Sequence, residues 1–140
     1  GVISAVILGL LQSAAVYQML GKGFGLKEMS VLAFIPALSR CVSIEDLFWL
    51  KPLPASSYTG LTKEIKKRHR IIPILEGICV LACVWFICGA HIFEALLIGL
   101  AVEQSVIIYL RKDLGGFSGD VSGAAITAGE LACLIAIAFA

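Results

Sequence analysis

Five apolar stretches, each near the length of a bilayer crossing, constrain the fold of this chain more than any other feature. A transmembrane helix needs about 20 mostly apolar residues, and the first such stretch carries no charged residue at all. Of the 140 residues, 59% are hydrophobic and 15% charged, against about 45–50% and about 25% in a soluble domain. We therefore predict an all-α, polytopic membrane helical bundle with about five transmembrane helices. The predicted spans are Gly1–Leu20, Met29–Leu50, Ile71–Ala90, Ile92–Leu110 and Asp120–Ala140.

The length leaves room for little outside the membrane, so residues 1–140 are predicted to form a single integral membrane segment. The net charge of +1 is too small to indicate a nucleic-acid partner. The lipid bilayer is the expected partner, and an oligomer is compatible with the pattern. The first stretch has neither the basic start nor the short apolar core of a signal peptide. We therefore expect the chain to begin inside a larger protein.

Basic residues fall mostly on one side of the predicted bundle. The positive-inside rule places the loops richest in Lys and Arg on the cytoplasmic face, so the loops after the second and fourth spans are expected to meet there. These loops contain Lys51, Lys63, Lys66, Lys67, Arg68, Arg70, Arg111 and Lys112, whereas the loops after the first and third spans contain Lys22 and Lys27.

A glycine-rich polar turn, DLGGFSGDVSGA from Asp113 to Ala124, is the first candidate for a site. Glycine permits positive φ and a close approach of the backbone, and the free N–H groups at the start of a helix bind phosphate. This combination favours a phosphate-binding turn. Its glycines are Gly115, Gly116, Gly119 and Gly123.

Asp120 stands at the start of the last span. A carboxylate there would repel a bare phosphate, so we expect a divalent cation, Mg²⁺, to bridge the carboxylate and the phosphate oxygens. An equal alternative is purely structural: Asp120 caps the last helix, and Gly115, Gly119 and Gly123 allow helices to pack closely.

Ionisable residues inside the spans lie at mid-depth or nearer the predicted cytoplasmic face, except Glu94. Such residues are expected to face the bundle interior. Arg40 is the only cation among them, so it is expected to bind a carboxylate or a substrate phosphate; a structural ion pair is an equal alternative. Glu130 lies about 15 Å along the helix from Asp120, near the bilayer midplane.

The segment Tyr109–Phe139 reads YLRKDLGGFSGDVSGAAITAGELACLIAIAF and resembles the carboxyl-terminal signature of the membrane-bound cobalamin synthase family. Pro36–Arg40 and the polar loop Pro54–Leu61 resemble other family segments more loosely. The matching residues of the signature are Arg111, Lys112, Gly115, Gly116, Gly119, Asp120, Gly123, Ala124 and Glu130.

The resemblance implies the activity of adenosylcobinamide-GDP ribazoletransferase, in which α-ribazole displaces GMP from adenosylcobinamide-GDP to form adenosylcobalamin, with Mg²⁺ required. It implies a site on the cytoplasmic face of a prokaryotic plasma membrane. Asp120 would be a metal ligand, with Asp113 as a second acidic contact, and Arg40 would bind phosphate. Glu130 would orient the site, and the turn glycines and Tyr58 would contact substrate.

One family element is absent. The amino-terminal His-Asp-Gly motif with its further aspartates does not occur in these 140 residues, so we expect the chain to be the later part of a larger membrane domain and inactive alone. Two rival classes stay open. A phosphotransferase of the CDP-alcohol type also needs metal-bound aspartates, but its aspartate-rich pattern does not occur here. A non-catalytic channel or transporter segment would use Arg40, Glu103 and Glu130 to line a path.

Overall fold

A computed structural model of the protein describes residues 2–23, 25–53 and 71–139, without the side chains of residues 2–5, 27 and 28. This part of the chain forms five long helices and one short one. Tyr58 and the basic cluster of the long loop lie outside the described residues. The helices are α1 (Val2–Gly21), α2 (Leu26–Met29), α3 (Val31–Trp49), α4 (Ile71–Cys88), α5 (Ala90–Leu114) and α6 (Gly119–Phe139). The predicted all-α bundle is confirmed.

Three helices are long and apolar enough to cross a membrane within the described part of the chain: α4, α5 and α6. Helix α1 is apolar as well, and the part of it with described side chains, Val6–Gly21, is shorter than these three helices. Helix α3 carries Arg40, Glu45 and Asp46, which lower its hydropathy. Arg40 and, on α4, Glu76 are exposed, so the prediction that ionisable residues inside the spans face the bundle interior is wrong for these two. These helices together support an integral membrane protein.

Helix α5 is longer than predicted. The sequence prediction ended this span at Leu110, where the apolar residues stop, but the helix continues to Leu114. Arg111 and Lys112 occupy its last turn, where cations favour the negative end of the helix dipole. Gly115 then ends the helix with a φ of 81° and donates its N–H to the carbonyl of Arg111 at 3.0 Å, as expected for a left-handed glycine cap. Asp113 therefore belongs to α5 and not to the turn.

Helix α6 is the centre of the bundle. It packs most extensively along α5 and also contacts α1 and α3, whereas α4 packs mainly on α3. Fully buried side chains such as Met19, Val31 and Ile137 form the main core. The outer surface is apolar as well, with Phe86 82% exposed, which suits contact with lipid rather than water.

The α5–α6 contact depends on two glycines. A Cβ on Gly129 would lie 2.8 Å from the Cβ of Glu103 and 2.9 Å from the carbonyl oxygen of Gly99. A Cβ on Gly99 would lie 2.8 Å from the Cβ of Cys133. Small residues let membrane helices approach until their backbones touch, so both positions require glycine at this helix separation.

Candidate functional site

The turn between α5 and α6 is anchored to the chain that leaves α3. The N–H of Leu53 donates to the carbonyl of Phe117, and the N–H of Phe117 donates to the carbonyl of Lys51, both at 2.9 Å. Pro52 and Phe117 thus form a short parallel β-bridge. A Cβ on Gly116 would lie 3.1 Å from the backbone nitrogen of Leu53, so the close approach uses the glycine. The loops after the second and fourth predicted spans meet as expected, within residues 51–53 of the long loop.

The side chain of Phe117 anchors this turn to the bundle. Its side chain is 1% exposed and packs in a separate small core with Ile107, Val121 and Ala125, against which Leu47 and Leu50 also pack. Burial of a whole Phe side chain is worth about 1.5–3 kcal/mol. The sequence analysis did not single out Phe117, although one large apolar residue among glycines and polar residues is a signal of a buried anchor.

The cap of α6 is Ser118 and not Asp120. The Oγ of Ser118 accepts a hydrogen bond from the N–H of Val121 at 3.3 Å, the contact of a helix N-cap. Asp120 lies in the first helical turn with an exposed side chain. No hydrogen bond or ion pair to its carboxylate occurs among the residues that the structure describes. The capping alternative for Asp120 thus loses its support, and its carboxylate is available to a ligand.

We expect Ser118→Ala to lower the free energy of unfolding by about 1 kcal/mol, because the N–H of Val121 loses its acceptor. Asp120→Ala should cost less than half as much, since its carboxylate makes only a favourable interaction with the helix dipole. Thermal unfolding of the purified protein in detergent measures both. A larger loss for Asp120→Ala than for Ser118→Ala would return the capping role to Asp120.

No helix packs closely against Gly115 or Gly123 in the described part of the chain. Nothing lies within 4 Å of a Cβ built on Gly115 or Gly123. Gly115 is required for its positive φ, and Gly123 lies on an exposed part of α6. Gly119 begins α6. The close helix contact falls instead on Gly99 and Gly129.

Arg40 and Glu130 form an ion pair between α3 and α6. The Nη1 atom of Arg40 lies 3.2 Å from Oε1 of Glu130 and donates a second hydrogen bond to the carbonyl of Pro36 at 2.9 Å. The side chain of Arg40 is 61% exposed and that of Glu130 18%. An ion pair with a carboxylate agrees with the structural alternative for Arg40, and the binding of a substrate phosphate stays a prediction. Because 61% of the Arg40 side chain is exposed, it retains donors for a second ligand.

The candidate residues form two groups and not one cluster. Asp120 and Glu130 are ten residues apart on α6, about 15 Å along its axis. Asp113 lies exposed on the last turn of α5. Within the described ranges, no three His, Cys, Asp or Glu side chains lie close enough together to hold a metal ion. A Mg²⁺ ion at Asp120 would therefore need substrate phosphates and water as its other ligands, which is the usual way in which proteins bind Mg²⁺ through one or two carboxylates.

Two polar contacts, one buried and one partly buried, were not assigned a role from the sequence. The Oγ of Ser43 donates to Oε1 of Glu103 at 3.1 Å, and the Nε2 of Gln104 donates to Oδ2 of Asp46 at 2.8 Å. Both join α3 to α5. The spacing of Gly99 and Glu103, four residues apart and so on one helix face, was the available signal that this face packs against another helix.

A cavity of about 690 Å³ opens between α1, α3 and α6, within the size range of small-molecule sites. It reaches the Arg40–Glu130 pair, since Glu130 and Pro36 line it. Its other polar lining residues are Gln12, Ser13 and Tyr17.

Comparison with known proteins agrees with the signature in α5 and α6. A family model described as cobalamin-5-phosphate synthase, CobS, matches residues 1–138. No solved structure matches the chain.

Curated relatives carry one name, adenosylcobinamide-GDP ribazoletransferase. The protein of Clostridium perfringens strain 13 is 33% identical over 124 residues, which cover 87% of this chain and 48% of that protein. The protein of Clostridium botulinum strain Alaska E43 is 33% identical over 136 residues, 93% of this chain and 51% of that protein. A Shewanella baltica OS155 relative is 27% identical over 107 residues, 74% of this chain and 40% of that protein. The chain thus spans about half the length of these relatives. It belongs to the cobalamin-5-phosphate synthase family.

Proposed function

We propose that the protein of which these residues form part is an adenosylcobinamide-GDP ribazoletransferase of cobalamin biosynthesis. One observation carries the proposal: the exposed carboxylate of Asp120, which has no partner among the described residues, is held at a helix N-terminus by a turn fixed to a neighbouring loop. A helix N-terminus favours phosphate, and a carboxylate beside it favours a bridging cation. The names of the curated relatives support the same activity.

In the proposed reaction, a hydroxyl oxygen of α-ribazole forms a bond to the phosphorus nearer the cobinamide. The bond from that phosphorus to the bridging oxygen breaks, and GMP leaves with the bridging oxygen. The hydroxyl proton passes to solvent or to a base. Mg²⁺ would neutralise the negative charge that develops on the phosphate oxygens. Asp120 would hold this ion, with Asp113 as a further acidic contact.

The remaining candidate residues would bind and orient the diphosphate. Arg40 presents exposed guanidinium donors, which suit the paired oxygens of a phosphate. Glu130 would act as a positioning residue, because its hydrogen bond with Nη1 fixes the guanidinium. Gly115, Gly116, Gly119 and Gly123 would let the backbone approach the substrate. Tyr58, outside the described residues, is kept as a proposed substrate contact.

We place this site at the cytoplasmic face of a prokaryotic plasma membrane. The support is the concentration of Lys and Arg in the loops after the second and fourth predicted spans, which the positive-inside rule assigns to the cytoplasm. The contact between residues 51–53 and the turn at Phe117 shows that these two loops share one end of the bundle.

The proposal is tested by expressing the complete reading frame that contains these residues and assaying its membranes. We expect GMP release that requires adenosylcobinamide-GDP, α-ribazole and Mg²⁺ together, with adenosylcobalamin as the second product. A correctly inserted, folded protein that releases no GMP under these conditions would refute the proposal.

A further inference from the structure

Glu103 is a buried carboxylate for which the described residues provide no cation. Its side chain is 0% exposed, at the junction of α3, α5 and α6. Its Oε1 atom accepts the hydrogen bond from Ser43, while Oε2 has no hydrogen-bond partner in the described part of the chain. An ionised carboxylate taken out of water costs several kcal/mol unless another group compensates its charge. Within the described residues, Oε2 therefore lacks a group that compensates its charge.

Hydroxyl groups converge on the same carboxylate. Ser39, one turn before Ser43 on α3 and also buried, interacts with Glu103 without the geometry of a hydrogen bond to Oε2. On the opposite side, Oε2 lies 3.3 Å from the position of a Cβ on Gly129. A cavity of about 10 Å³ adjoins Ser39 on the side away from Ser43; apart from Ser39, Gly99, Gly129 and Cys133, its lining is formed by Ile35, Leu38, Leu96 and Leu100. Glu103 and Ser43 do not line it, so the packing around Oε2 itself leaves little free space.

The charged groups on the neighbouring helices do not neutralise Glu103. On α3, Asp46 adds negative charge and accepts a hydrogen bond from Gln104, while Arg40 pairs with Glu130 and donates to the carbonyl of Pro36. On α6, Glu130 shares that same arginine. These contacts leave one formal negative charge at Glu103.

We propose that Glu103, Ser39 and Ser43 form a binding site for one monovalent alkali cation, Na⁺, between α3, α5 and α6. Carboxylate and hydroxyl oxygens are the ligands that hard cations prefer. A single positive charge balances the one carboxylate of this site. A proton on Oε2 would complete that oxygen alone, whereas a cation beside it would also engage the hydroxyl of Ser39. The close packing around Oε2, which lies 3.3 Å from the position of a Cβ on Gly129, favours Na⁺ over the larger K⁺.

The test is thermal unfolding of the complete protein in detergent, titrated with NaCl while choline chloride holds the ionic strength constant. We expect a saturable rise of the midpoint by at least about 3 °C, and no rise in Glu103→Gln, which keeps the shape but loses the charge. Glu94→Gln is the matched control, because Glu94 is an exposed carboxylate on the same helix, and it should keep the full Na⁺ response.

Binding of radioactive sodium provides a second measurement that does not depend on the Glu103 variant folding. We expect one ion per chain, and at least about a tenfold weaker affinity in Ser43→Ala, which removes one oxygen ligand. Equal midpoints in NaCl and choline chloride, or equal sodium binding by the native protein and Ser43→Ala, would overturn the proposal. Stabilisation by lower pH alone, without any Na⁺ response, would also overturn it, since a proton would then occupy the site.

Discussion

Asp120→Asn is expected to reduce Mg²⁺-dependent GMP release by at least about 100-fold in the complete protein. The amide keeps the size of the side chain but loses the charge that would hold the cation. Because Ser118 and not Asp120 makes the helix cap, membrane insertion and the unfolding midpoint should change little. The measurement is the initial rate of GMP release in membranes over a range of Mg²⁺ concentrations.

Two controls separate a role in the site from a structural role. Ser118→Ala removes the cap contact but leaves the Asp120 carboxylate, so it should retain most of the activity at moderate temperature despite its lower stability. Glu94→Gln makes the same acid-to-amide change at an exposed position far from the turn along α5, and it should be fully active. Full activity of Asp120→Asn would show that its carboxylate is not a metal ligand.

Gly129→Ala, like Gly99→Ala on the facing helix, is expected to be among the most damaging additions of one methyl group in the described bundle. The new Cβ would lie 2.8 Å from the Cβ of Glu103 and 2.9 Å from the backbone oxygen of Gly99. Neither atom is the end of a flexible side chain, so α5 and α6 must separate. Overpacking of this kind costs about 1–3 kcal/mol, which should appear as a lower unfolding midpoint in detergent and as a smaller monodisperse fraction.

Gly123→Ala is the matched control for this substitution, because it lies on the same helix and nothing approaches its Cβ position within 4 Å. Alanine favours a helix over glycine by about 0.8–1.0 kcal/mol, so Gly123→Ala should keep or raise the midpoint. Equal losses for Gly123→Ala and Gly129→Ala would mean that helix contact is not the cause.

The helices themselves could be predicted from the sequence, because the length of an apolar run determines whether it can cross a bilayer. The end of α5 could not be predicted in this way. Its last turn is polar, and the position of its end depends on the left-handed backbone of Gly115. The sequence also indicated that the loops after α3 and α5 lie on one side, but not that Phe117 would pair with Lys51 and Leu53.

The candidate site was predictable in its residues more than in its contacts. Arg40 was the only cation within the spans, so a carboxylate partner could be expected, but several carboxylates lie at similar depth. The choice of Glu130 depends on how α3 and α6 are rotated about their axes, which apolar composition does not determine. The capping role of Ser118 was missed for a similar reason, since Ser118 and Asp120 are two residues apart and both residue types cap helices well.

The double hydrogen bond at Phe117 has a thermodynamic consequence for any ligand at Asp120. A free loop would have to be immobilised when a ligand binds, at a cost of about 1–2 kcal/mol for each ordered residue. In this protein the conformational entropy of the turn is already lost on folding, because Phe117 is both buried and bridged to residues 51–53. A ligand that meets the start of α6 therefore finds a preorganised surface, and more of its contact energy is retained as affinity.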